Sequence, residues 1–235
     1  QASSLDNPAL PDDYIKRLGE FEGTYRDRYV LGLWKGLEGL VYSNFDDKVC
    51  LIPRMEIPLS WPVYVGHDFG DANPAALFYA GNPGTGEFWA FAEYLPKENP
   101  TTYAQVQEFK RITAGRNVLK RIGGSHQEGA SRRDYTGQGW LISEPREDLT
   151  NQTKVQRKRV LGLHALNKVI IFNDLANYLR EKLSFAYEKK DGVLTDNIHN
   201  EVAFHLMACE RYILSDFTPE TVAARGNIMV QQRFR

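Results

Sequence analysis

Three stretches carry residue types that can do chemistry together. The first is Gly66-His67-Asp68-Phe69-Gly70-Asp71-Ala72-Asn73-Pro74. It continues Val63-Tyr64-Val65, which reads as a strand, so Asp68 closes a strand between two glycines. There a carboxylate projects where a backbone or ligand can approach closely. Two uses fit. Asp68 can serve as a hard-cation ligand, since Mg²⁺ takes carboxylate oxygens and keeps waters. The glycine-rich turn can instead offer N–H groups to a phosphate. A plain turn, with Asp and Gly set by backbone dihedrals, also fits. The second stretch is Gly123-Gly124-Ser125-His126-Gln127-Glu128-Gly129, leading into Ser131-Arg132-Arg133-Asp134-Tyr135. It follows another strand pattern, and in open α/β sheets ligands gather outside the carboxyl ends of strands. Ser125 or Glu128 could equally start the next helix. The third is the last helical pattern, where Glu201, His205 and Ala208 share a face and Glu210, Arg211 and Tyr212 follow. Glu201 and His205, one turn apart, can share a cation, orient each other, or form a solvated pair.

The elements that must position these residues follow from periodicity. Strands are expected over 63–68, 75–80, 88–95, 118–122, 140–143 and 169–172, with 81–86 as a hairpin turn. Helices are expected over 101–112 (capped by Thr101 or Thr102), 130–136, 153–166, 175–185 and 200–214. Three strands in meander, then strands alternating with helices, predict an α/β sheet with an antiparallel and a parallel half. Ahead of it, residues 1–60 read as a lead-in. A short helix is expected over 11–21, extended pieces over 29–33 and 39–45, and a linker over 53–62 around Pro53, Pro58 and Pro62. Residues 61–235 are expected to form the main domain. Phe204, Leu206, Met207 and Ile213 are expected in the core.

Composition narrows the partners. The chain has 235 residues, 29 Lys+Arg against 30 Asp+Glu, 42% hydrophobic and 25% charged residues. Those values exclude collagenous, low-complexity and disordered chains. A net charge of −1 gives no global pull toward a polyanion, so a nucleic acid must be met by a local patch. Lys154, Arg157, Lys158 and Arg159 on one helix, with Arg132 and Arg133 near in the chain, are the candidates. A solvated basic face is the plain alternative. Cys50 and Cys209 form no C-x-x-C pair and read as small buried hydrophobes of a reducing compartment. No apolar run approaches the roughly 20 residues that span a bilayer. No signal peptide is expected, and a start at Gln1 suggests a piece of a longer protein.

The order of these pieces resembles the C-terminal nuclease domain of the large terminase subunit of tailed bacteriophages. The pieces are strand–GxDxG, hairpin, helix, strand–GGSHQE, basic helix and HLMxxERY. Ser3-Ser4-Leu5-Asp6-Asn7-Pro8, Tyr14-Ile15, Leu31-Gly32-Leu33-Trp34 and Glu38-Gly39-Leu40-Val41-Tyr42 resemble the stretch that follows the family's ATPase core. The resemblance implies a ribonuclease H-like fold and a metal-dependent endonuclease that cuts concatemeric viral double-stranded DNA during genome packaging. It implies two divalent cations, Mg or Mn, and an ATPase domain upstream. A portal and a small terminase subunit are the implied partners, in the host cytoplasm and away from membranes. No G-x-x-x-x-G-K-[ST] occurs, so ATP hydrolysis is not expected of this piece.

The family's acids carry over unevenly. Asp68 matches the first-strand aspartate and would bridge both ions. The second acid would stand at Gly124 or Ser125, and Glu128 is the nearest carboxylate. The third would stand at Phe204 or Ala208, and Glu201 could reach the same place; Asp196, Asp191 and Glu210 are weaker candidates. His205 would assist the leaving side or a metal-bound water. Arg132, Arg133, Lys154, Arg157 and Lys158 would hold DNA phosphates. Two other classes remain open: a DNA-binding or docking domain built on a weakened nuclease, and an actin-like ATPase.

Overall fold

The structure is a computed structural model that describes residues 39–70, 73–98, 100–149 and 152–217. The expected helix over 11–21, the extended piece over 29–33 and Asp71 lie outside the described residues. A six-stranded sheet forms, with five of its strands where the branched and aromatic runs predict them and an unexpected short strand at one edge. Its strands are β1 (Leu51–Ile52), β2 (Val63–Asp68), β3 (Ala75–Gly81), β4 (Phe88–Tyr94), β5 (Val118–Gly123) and β6 (Val169–Phe172), in spatial order β1-β6-β4-β3-β2-β5. β3 runs antiparallel to β2 and β4; the other pairings are parallel. Five carboxyl ends therefore meet at one edge of the sheet. Every residue of β3 is buried, as a strand covered on both faces requires.

Helices cover both faces. They are α1 (Asp47–Cys50), α2 (Thr102–Ile112), α3 (Gly129–Gly137), α4 (Thr153–Ala165), α5 (Ala176–Ser184) and α6 (His205–Leu214). Side chains alternate along β2, so Val63, Val65 and His67 face one layer and Tyr64, Gly66 and Asp68 the other. On the first side the His67 ring lies 5.1 Å from that of Phe109 on α2 and 6.2 Å from that of Tyr135 on α3. On the second side α6 crosses β2 at Gly66. A Cβ at Gly66 would stand 2.0 Å from the Cys209 carbonyl oxygen, so only a glycine lets the helix backbone come this close.

Four local expectations differ from the structure. The last helix is broken: Asn200 is left-handed (φ 50°), a 3₁₀ turn spans Glu201–Ala203, and Phe204 (φ −112°, ψ 66°) is not helical, so α6 begins at His205. Glu201 therefore does not share a helix face with His205. Residues 140–143 form no full strand; a single parallel bridge joins Ser143 to Ile122. Residues 39–45 form turns with one bridge, Leu40 to Ala186, rather than an extended piece. An unexpected hairpin, β7 (Tyr187–Lys190) and β8 (Val193–Ile198), turns through Asp191 (φ 50°) and Gly192 (φ 83°). The described part of the expected lead-in packs with the sheet. Val41, Tyr42 and Ile57 are in the core, and β1 pairs with β6.

Candidate functional site

Asp68 ends β2 at the edge where the carboxyl ends gather, on the face covered by α6. His205 is the first residue of that helix, and its Nδ1 lies 2.8 Å from Asp68 Oδ2. The hydrogen bond to Asp68 raises the imidazole pKa, and partial burial does not cancel the effect. With Nδ1–H donated to Asp68, Nε2 is left to meet a ligand. The structure thus joins two residues separated by 137 positions.

The neighbouring turn after β5 is built differently from the expectation. Gly124 has φ +73°, and a Cβ there would stand 2.5 Å from the Phe69 ring. A carboxylate at that position is therefore excluded by this backbone. Glu128 points back along the chain, where Oε2 accepts from the Ser125 amide and caps the turn. Arg132 is buried and donates to the carbonyls of Gly123, Ser125 and His126 and to Glu144 Oε1. Its guanidinium holds the turn together. Glu144 also meets His126 Nδ1 at 3.0 Å, and that hydrogen bond, with help from Arg132, lowers the carboxyl pKa.

The other expected residues lie apart from Asp68 or have partners of their own. Glu201 is exposed and sits 3.5 Å from Arg157, which is buried. Lys154 pairs with Asp196 at 2.7 Å on the surface. Asp191 forms the tip of the β7–β8 hairpin. Glu210 is fully buried with Lys182 and His164: Lys182 Nζ reaches Glu210 Oε1 at 2.7 Å, and His164 Nε2 lies 2.8 Å from the same oxygen. Burial opposes the Glu210 charge, but Lys182 and His164 bring the carboxyl pKa down to about 2. Arg133 and Lys158 are exposed. Ala208 stands one turn after His205 on the same face of α6.

Two carboxylates that cap helix starts carry no signal in the sequence. Glu181, on α5, accepts from the amides of Leu206 (2.8 Å) and Met207 (3.1 Å) in the first turn of α6. Burial raises its pKa to about 7, against the opposing effect of those amides and His205. Glu93, at the end of β4, accepts from Asn177 and Tyr178 in the first turn of α5. Both partnerships cross long stretches of chain, so no spacing rule finds them. Glu144 does have a weak signal, as an acid just after an apolar stretch that runs beside β5.

A cleft of about 370 Å³ opens beside the Asp68 loop, lined by Phe69, Gly70, Thr101, Ser131 and Asp134, among others. Among the described residues, no three His, Cys, Asp or Glu side chains come together as a metal site. Asp68 and His205 alone do not fit a two-cation centre.

Strand order and the placement of Asp68 permit a comparison with solved structures. The large terminase of the thermophilic bacteriophage D6E superposes with a TM-score of 0.63 at 16% identity, over 90% of this chain and 54% of that one. The fold is that of a large-terminase nuclease domain. The P22 large terminase nuclease domain matches over 80% of this chain and 98% of its own, with a TM-score of 0.57 and 15% identity. The nuclease domain of the bacteriophage SPP1 large terminase, with bound Mn, matches over 75% and 98%, at a TM-score of 0.51 and 15% identity. This chain spans about half the length of the D6E terminase chain. No protein-family model and no curated protein matches the sequence. The terminase-nuclease fold read from the motif order is thus the observed one.

Proposed function

We propose that this chain is the nuclease domain of a DNA-packaging large terminase and acts on double-stranded DNA at the sheet edge around Asp68. One observation carries the reading: in a terminase-nuclease fold, Asp68 ends an inner strand and is held by an imidazole from the helix above it. As the imidazolium that Asp68 favours, His205 would present Nε2–H to a phosphate oxygen or to the leaving oxygen. Arg133 and Lys158, exposed on α3 and α4, would hold phosphates without sequence preference. Arg132, Arg157 and Lys154 would act on DNA only by leaving the partners described above.

The SPP1 domain holds Mn, which supports divalent-cation binding by this fold, and Asp68 would be the residue to hold such an ion here. Such an ion would supply charge neutralisation on the scissile phosphate. The described donors do not extend to two ions of Mg or Mn. That shortage favours a second reading, a DNA-docking domain with weakened hydrolysis. Under either reading we place an ATPase domain upstream, residues 61–235 as the body of the nuclease domain with 39–60 packed onto it, the portal and small terminase subunit as partners, and the host cytoplasm as the location. No helix among the described residues is long and apolar enough to cross a membrane.

Incubation with supercoiled plasmid and Mn²⁺ or Mg²⁺ tests the proposal. Metal-dependent nicking that Asp68→Asn abolishes supports the nuclease. Retention of DNA without nicking, with nicking gained in Ala208→Asp, supports the weakened domain. Neither nicking nor retention sinks both.

A further inference from the structure

The first turn of α6 needs partners for its free amides, and the residues just before it supply none. The residue before it, Phe204, has no side chain able to cap, and no local cap is formed. The amides of Leu206 and Met207 instead both donate to Glu181 Oε2. Glu181 lies on α5, only 4% exposed, and stands 25 and 26 residues before its two partners. Those two amides directly follow His205, whose ring meets Asp68. A helix can rotate about its axis or fray by a residue at its start. A single carboxylate oxygen gripping two successive amides prevents both.

The same device occurs one step earlier. Glu93 on β4 accepts from Asn177 N at 3.1 Å, Tyr178 N at 2.7 Å and Asn177 Nδ2 at 2.9 Å. That fixes the start of α5, the helix carrying Glu181. A chain of contacts then runs from β4 through Glu93 to α5, through Glu181 to α6, and through His205 to Asp68 on β2. Each carboxylate also complements the positive end of the helix it caps. A cap needed for stability alone is available locally, from Ser, Asp or Asn at position 204, without burying a charge.

We infer that Glu181 is the positioning residue of this site: by clamping the first turn of α6 it sets the direction in which His205 meets Asp68. The inference rests on the reading of Asp68 and His205 as the functional pair, and deepens it.

The test measures the pair itself rather than DNA cleavage. In the full chain, Asp68→Asn changes the ring ¹⁵N shifts of His205, and the size of that change reports the coupling. Glu181→Met keeps the volume, removes the acceptor and avoids leaving a buried charge unpaired. It is expected to cut the coupling about tenfold while far-UV circular dichroism stays that of the wild type. Glu181→Gln keeps one acceptor oxygen and is expected to retain most of it. Full coupling in Glu181→Met overturns the inference, because a merely structural cap would change stability and leave the His205 signal alone. A second measurement needs no variant. The Leu206 and Met207 amides should exchange about a hundredfold more slowly than in an unfolded chain, and unprotected amides also overturn it. Failure of the DNA proposal looks different: the coupling would be intact, with no retention or nicking.

Discussion

Single residues in this protein show how context chooses among roles that a side chain type allows. Asp68, Glu128, Glu181 and Glu210 are all carboxylates within one domain. One faces an imidazole at the sheet edge, one closes a turn, one caps a helix, and one is an ion partner in the core. Glu210 and Lys182 are both buried, and the Lys182 ammonium also lies 4.6 Å from the Tyr42 ring. Removing one charge leaves the other without compensation. Glu210→Leu should therefore cost about 3–5 kcal/mol in urea unfolding, while the paired change Glu210→Leu with Lys182→Met should recover most of it. His67 makes a separate prediction. Burial, with the nearby Arg121 charge, lowers its pKa from 6.5 to about 3, and its Nε2 accepts from Trp140 Nε1 at 3.1 Å. The folded pKa is below the unfolded one, so below 6.5 the unfolded chain takes up the proton first. Stability from this group is full above pH 6.5 and falls as the pH drops toward 3. His67→Gln should flatten that limb of a stability-against-pH curve.

At the level of elements, the decisive contact is α6 on β2. Gly66 makes it possible, because the helix backbone occupies the place of a side chain. Gly66→Ala must push α6 away or bend β2. The expected cost is about 1–3 kcal/mol in thermal or urea unfolding, with loss of the His205–Asp68 contact and of any function that depends on it. An unchanged midpoint would show that the helix is less tightly seated than described. The elements also show which sequence signals were sufficient. The strand 63–68 and the helix capped by Thr101 were legible because a short branched and aromatic run and a cap act within a few residues. Asp191-Gly192 is a good two-residue turn signal, yet its flanking strands are polar and exposed and offered no alternation. The helix expected over 200–214 looked continuous because apolar spacing persists through Phe204. Asn200 and Phe204 nevertheless leave helical geometry, and the Phe204 ring meets that of Phe185 edge-on with centroids 5.0 Å apart. Tertiary packing outweighed helical propensity there.

Across the whole molecule, charge is balanced, and among the described residues most basic side chains are occupied. Lys154 is met by Asp196, Arg157 by Glu201, and Arg132 by carbonyls and Glu144. DNA held by Arg133 and Lys158 would therefore involve few phosphates and depend moderately on salt. Arg133→Ala with Lys158→Ala should reduce the slope of log K against log salt by about 0.9 per lost contact, or nearly 2 in all. An unchanged slope in fluorescence anisotropy would place the DNA elsewhere.

The sequence alone determined β2 to β6, most helices and the terminase-nuclease order of elements, and it put Asp68 first among the expected site residues. These depend on period, turn chemistry and motif order, which are properties of neighbouring residues. Only the tertiary structure decided that His205 would meet Asp68 and that Glu128 and Arg132 would lock a turn. It alone decided that Glu181 would seat the helix that brings His205 there. Those contacts join residues distant in the chain, and their geometry is set by how closely a helix packs on a sheet, which no local pattern records.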